Sequence, residues 1–239
     1  MDRVWRIAAV VFALSGGTAR AGEIVLLYNE RPPFIMAQRD GAVTGIVADA
    51  AADALTKAGI AYRWVETPTI RQFDAVKADT DTVCAVGWYK NAERESFGRF
   101  SAPLYQDLPP VILGRADDVR LRGRSLDTLF SDKSLHLIVK VGYSYGPVLD
   151  AKLAELKPTT EAVTQEAAGM AKIIGASHAD YMIFTREEGE YFIRQPELAK
   201  PELALYAVDG MPQGEYRYLV CSHKVPESTL ATLSGFLPH

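Results

Sequence analysis

The chain has 239 residues, with 26 Lys and Arg set against 30 Asp and Glu, for a formal net charge of -4 at pH 7. That acidic balance, without any long basic run, excludes the concentrated cationic face on which nucleic-acid binding depends. A 48% hydrophobic content supplies one large core or two small ones, and His136, His178, His223 and His239 lack any metal-ligand spacing, so neither a metal nor a cofactor is expected.

Residues 1–21 read as a cleavable signal peptide. Arg3 and Arg6 precede a short apolar core, Ile7 to Leu14, and Ala19-Arg20-Ala21 gives the small-x-small cleavage pattern. The core falls short of the roughly 20 apolar residues of a membrane helix, so a start-transfer anchor is the weaker reading, and the mature protein is expected in the periplasm. Glu23 to Tyr28 then forms a strand that Pro32 and Pro33 close. A turn covers Gly41 to Gly45, and apolar residues at helical spacing predict a helix over Ile46 to Ala58, with Gly59 in the C′ place. Ile60 to Val65 is the next strand, Thr69 to Ala78 the next helix, and Val83 to Val86 a strand ending at Gly87.

This strand–helix alternation indicates α/β sheets, mostly parallel. After Pro109 and Pro110 a second series begins, with strands Val111 to Leu113 and Leu135 to Val141 and a helix over Pro147 to Leu156. A helix over Thr164 to Ile174, a strand over Tyr181 to Phe184 and a short helix over Glu187 to Ile193 follow. Glu202 to Val208 leads back toward Tyr216 to Cys221, and Pro226 to Leu233 makes a final helix. Two α/β lobes joined by two crossings explain this spacing better than one continuous sheet: residues 22–108 with 206–239, and residues 109–205.

The segment from Trp88 to Tyr105 is the densest concentration of aromatic, cationic and hydroxyl groups at a strand end, the part of an α/β sheet that faces ligands. Arg94 has the planar fork that pairs with a carboxylate, or it is a structurally paired arginine. Arg31 offers a second cation. Trp88 and Tyr89 are ligand contacts or core packing. Gly142 and Ser144, in the turn Val141 to Gly146, present backbone amides and a hydroxyl before a helix, or form a structural turn. Thr185 ends a strand toward the interlobe cleft, whereas Glu187, Glu188 and Glu190 read as a solvated helix face. Cys84 and Cys221 form one disulfide in an exported protein, or are two buried thiols. No catalytic triad can be assigned from sequence order, because its members converge only in space, and neither a nucleophile elbow nor a phosphate-loop fingerprint appears.

In order along the chain stand Arg31-Pro-Pro-Phe34, Gly45-Ile-Val-Ala-Asp49, Arg94 and Phe100-Ser-Ala-Pro-Leu-Tyr105. Together these resemble the bacterial extracellular solute-binding proteins of family 3, the periplasmic receptors of amino-acid-type ABC transporters, over nearly the whole mature chain. The resemblance implies a type II periplasmic binding protein-like fold of two mixed α/β sheets, two lobes hinged over an interlobe cleft, and a monomer that hands a small solute to an ABC permease. It implies that Arg94 holds an α-carboxylate, with Gly142 and Ser144 contributing from the second lobe. Three departures stand out. The family's second-lobe acid falls at Thr185, Arg31 replaces an aromatic, and Gly87 and Tyr89 replace small hydroxyl-bearing residues. A lost acid and an added arginine shift the expected solute toward a polar or anionic, carboxylate-containing metabolite, and the short C-terminal end is expected to bear on closure. A sensory or scaffold protein without transport, and a dehydratase-like enzyme on the same fold, are the alternatives.

Overall fold

The computed structural model describes residues 22–195 and 202–237; the expected signal peptide, residues 1–21, lies outside them. The chain opens with β1 (Ile24–Tyr28), whose apolar residues are buried in the first sheet. A small hairpin of β2 (Met36–Ala37) and β3 (Val43–Thr44) then leads into α1 (Ile46–Lys57). Gly45 before α1 has φ 122°, and a Cβ there would come within 2.5 Å of the Phe34 carbonyl oxygen, so only glycine fits this entry. Helix α1 buries Val47, Ala48, Ala51, Ala54 and Leu55, a mostly small-residue stripe that lets it lie close to the sheet. Next come β4 (Tyr62–Glu66), α2 (Thr69–Ala78) and β5 (Val83–Tyr89), with β5 buried along its entire length. Asn91 caps the single turn α3 (Ala92–Glu95) by accepting from the Arg94 backbone N–H, and β6 (Arg99–Phe100) and β7 (Tyr105–Gln106) follow.

The second series runs β8 (Val111–Arg115), α4 (Leu126–Ser131), β9 (His136–Lys140), α5 (Pro147–Leu156), β10 (Thr159–Val163), α6 (Ala167–Gly175), β11 (Tyr181–Phe184), α7 (Arg186–Ile193) and β12 (Leu203–Tyr206). Two elements, β13 (Tyr216–Cys221) and α8 (Glu227–Ser234), return to the first sheet.

The first sheet has the order β4-β1-β5-β13-β6, with β7 also on β13, and the second β10-β9-β11-β8-β12. In each, three strands run parallel and the rest pair antiparallel, so the sheets are mixed, as the family resemblance implies, and not mostly parallel as the strand–helix alternation alone suggests. The architecture is thus two mixed α/β sheets, each with its own core. Leu26, Leu55, Val86 and Leu219 pack on one face of the first sheet, and Ile112, Leu121, Leu137, Tyr181 and Tyr206 on one face of the second.

Three local readings change. Strand β5 continues through Gly87 to Tyr89 rather than stopping at Gly87; the glycine takes φ 81° where the pairing with β13 shifts register between Tyr218 and Leu219. Residues 159–163 form an edge strand whose polar text, Thr-Thr-Glu-Ala-Val, carries no apolar signal, and the helix expected from Thr164 begins at Ala167. Helix α4 also escaped the sequence reading, although Ser125 and Thr128 close a capping box at its start. The open question over the cysteines is answered as well, because Cys84 on β5 lies directly opposite Cys221 on β13 and the two form a disulfide.

Candidate functional site

Parallel strands present their C-terminal ends on one edge of a sheet, and here those edges face each other. Beyond β1 lie Asn29 and Arg31, and β5 ends in Trp88 and Tyr89. From the second sheet come Lys140 at the end of β9, the turn Gly142 to Gly146, and Thr185 after β11. Of the seven residues expected at the site, Arg31, Tyr89, Ser144 and Thr185 line one cavity between the lobes, and Arg94, Trp88 and Gly142 stand beside it.

Arg31 is not a free cation. Its Nε and Nη2 donate to the two carboxylate oxygens of Glu188 at 2.6 and 2.9 Å, a bidentate pair reaching from the loop after β1 to α7. The Glu188 side chain is 2% exposed and that of Arg31 16%. Burial disfavours both charges, but each partner's field prevails, holding the Glu188 carboxyl below the usual carboxylate range and the Arg31 guanidinium above its usual value. The Arg31 guanidinium also lies 4.8 Å from the centroid of the Tyr143 ring.

Arg94 is 4% exposed and, among the described residues, has no carboxylate in ion-pair range. Its Nη1 donates to the Tyr89 carbonyl at 2.7 Å and its Nη2 to the Gly142 carbonyl at 3.3 Å, and it stacks 4.9 Å from Phe73 and 5.2 Å from Trp88. Burial lowers its pKa to about 10, only partly opposed by Glu93 and Asp150. Such a desolvated cation, held only by carbonyls and rings, is electrostatically suited to an incoming carboxylate.

The aromatic pair is fixed in the structure. Trp88 donates its Nε1–H to Gln72 at 2.9 Å and meets Tyr143 edge-on at 5.5 Å across the cleft. Tyr89 gives its hydroxyl to Asp107, whose carboxylate also receives Nε and Nη2 of the buried Arg217 at 2.6 and 2.7 Å. Burial pushes the Tyr89 pKa far up, so the phenol stays neutral. Ser144 is committed to its own turn, donating to Asp150 and accepting from the Gly146 N–H.

Sequence reasoning missed Glu188, Glu187, Lys140 and Glu166. Rather than a solvated face, α7 turns two acids inward. Glu187 accepts from the Tyr105 hydroxyl and from the Leu108 N–H, both at 2.7 Å, while Glu190 does remain on the outside with Arg194. The missed signal was Thr185-x-x-Glu188, the spacing of a capping box. Thr185 Oγ1 accepts from the Glu188 N–H at 3.3 Å, and its hydroxyl donates to the Glu188 carboxylate at 3.0 Å. Lys140, 6% exposed, pairs with Glu166, which also accepts from Asn29 Nδ2 of the facing lobe at 3.2 Å.

Between these groups lies a cavity lined by Arg31, Tyr89, Lys140, Ser144, Thr185 and Glu188 over an apolar floor that includes Met170, Met182 and Phe184. Arg94, Trp88 and Gly142 stand outside its lining. Its volume is about 40 Å³; at roughly 10–15 Å³ for one water, it holds a few waters and no amino-acid-sized solute. A more open pocket of about 640 Å³ also lies between the lobes, lined by Thr69, Ile70 and Asp74 on one side and Lys140, Val141 and Glu166 on the other. No described helix is long and apolar enough to cross a membrane, and the described residues contain no cluster of three potential metal ligands.

Fold and cleft together define a two-lobed binding protein. Comparison with solved structures agrees on the fold. An ancestral arginine-binding protein bound to arginine superposes with a TM-score of 0.71 at 16% identity, covering 91% of each chain. Holo ArgBP from T. maritima gives 0.69 at 17%, covering 90% of this chain and 88% of that one. The substrate-binding protein of an amino acid ABC transporter gives 0.68 at 17%, covering 90% and 91%. Residues 24–218 match the model of the bacterial extracellular solute-binding proteins, family 3, and the chain belongs to that family. No curated protein matches it.

Proposed function

We propose that the protein is an exported, monomeric receptor that binds a small polar, carboxylate-containing solute between two lobes and delivers it to an ABC importer. We take its lobes as residues 22–108 with 209–239 and residues 109–208, with the expected boundary at 205 moved because Tyr206 and Val208 pack in the second core. Residues 1–21 act as the signal peptide that takes the chain to the periplasm. The observation carrying this reading is the buried Arg94 guanidinium, which has no carboxylate partner among the described residues and lies at the seam where β5 meets the Gly142 turn of the other lobe.

In the proposed cycle the open cleft admits solute. Arg94 receives the carboxylate from one side, and the turn holding Gly142 and Ser144 closes from the other, expelling water and strengthening each polar contact. Nothing in this cycle calls for covalent chemistry, and we infer binding without turnover. Native mass spectrometry of protein purified without refolding tests this. A released small carboxylate, unchanged in mass after incubation with the protein, supports a receptor, whereas a converted compound overturns it in favour of an enzyme.

A further inference from the structure

A carboxylate anchor at Arg94 leaves the other cross-cleft charge pair unexplained. Glu188 receives three side-chain hydrogen bonds, two from the Arg31 guanidinium and one from the Thr185 hydroxyl, and the Tyr143 ring lies against the guanidinium. A buried, bidentate carboxylate beside an aromatic face is the arrangement that suits a planar guanidinium. Carboxylate, hydroxyl and ring all belong to the second lobe, while the guanidinium arrives from the first. Arg31 and Glu188 both line the cleft cavity. Arg31 is thus held as a ligand's guanidinium would be, but on a tether.

We propose that Glu188, Thr185 and Tyr143 form a guanidinium subsite that this chain fills with its own Arg31, shutting out free guanidinium and other cationic solutes. The inference rests on reading the cleft as the solute site. A buried carboxylate left without a counter-charge is strongly unfavourable, so Glu188 requires a cation whenever the lobes close. A tethered cation competes at an effective concentration on the order of millimolar or above, which a free solute at lower concentration does not overcome. The subsite also explains how the second lobe has an acid three residues beyond Thr185 and yet offers none to a ligand's ammonium group.

The test is calorimetric titration of the mature chain and its Arg31→Ala variant with methylguanidinium and with arginine. Wild type is expected to take up neither. Arg31→Ala should bind methylguanidinium at least about tenfold more tightly, and adding Glu188→Gln should abolish the gain. A folded Arg31→Ala protein with no gain, or wild type binding as tightly as the variant, overturns the proposal. If Arg31→Ala does not fold, NMR of solute-free wild type decides: an Arg31 Nε–H resonance protected from exchange is expected, and a freely exchanging one overturns the proposal. Failure of every carboxylate to bind would sink the receptor reading instead and leave the methylguanidinium result standing.

Discussion

Arg94 and Arg31 share a charge and a cleft but differ in what compensates them. Arg31 has its own carboxylate, while Arg94 makes do with two carbonyls and two rings. Replacing Arg94 with alanine should therefore abolish solute binding while thermal unfolding remains cooperative, and Arg94→Lys, which keeps the charge but loses the planar fork, should recover only part of the affinity. At the Arg31–Glu188 pair the expected effect falls on stability. Glu188→Ala strands a buried guanidinium and should cost about 3–5 kcal/mol, measured by denaturant unfolding. The pair's pH dependence follows from its sign. The folded Glu188 carboxyl is held below its ordinary value of 4.5, so its contribution is complete above about pH 4.5 and is lost as pH falls through the lower folded value. Unfolding curves of wild type should steepen in their loss of stability below that pH, and those of Glu188→Gln should show a smaller loss. The family resemblance singled out Arg94 by its place six residues before Phe100-Ser101, and that residue lies buried against the Gly142 turn. Glu188 was hidden because a Glu in a run of acids looks solvated until the Thr185 cap fixes which way α7 turns.

At the scale of elements, β5 carries both part of the proposed site and its brace. Its C-terminal end delivers Trp88 and Tyr89, Gly87 absorbs the register shift against β13, and Cys84 is bonded to Cys221 on that same neighbour. A Cβ on Gly87 would sit 3.3 Å from Val47 Cγ1 with φ 81°. Gly87→Ala should thus destabilise by about 1–3 kcal/mol, measurable by chemical denaturation, and should weaken solute binding by displacing the end of the strand. Reduction of Cys84–Cys221 should lower stability by roughly 2–4 kcal/mol and add two hydrogens to the intact mass. Elements with strong apolar periodicity or a defined start, such as α2, α5 and β11, were legible at their observed bounds. Among those that were not are α4 and β10, and β10 lies at a polar sheet edge where pairing with β9 rather than burial makes the strand. Likewise, sequence text alone does not distinguish a strand that stops at Gly87 from one that bends through it.

For the whole molecule, the two sheets are joined by segments whose groups also latch the cleft. Asp107, beside the first crossing, binds Arg217 on β13 within the first lobe, whereas Glu187 on α7 reaches across to Tyr105 and Leu108 on either side of it. With the Arg31–Glu188 and Asn29–Glu166 contacts, the bonds to Glu187 hold the lobes together around the cavity of about 40 Å³. Two lobes and their order could be read from the alternating pattern of strands and helices. The cross-lobe contacts of Arg31 with Glu188 and of Asn29 with Glu166 could not, because each joins residues more than a hundred positions apart. The most direct test of a carboxylate receptor is calorimetric titration of the wild-type mature chain and Arg94→Ala against a panel of small carboxylates and amino acids. We expect at least one carboxylate to bind wild type with 1:1 stoichiometry and to lose its binding heat with Arg94→Ala. Equal affinity in the two proteins, or selective binding of solutes without a carboxylate, would contradict the account.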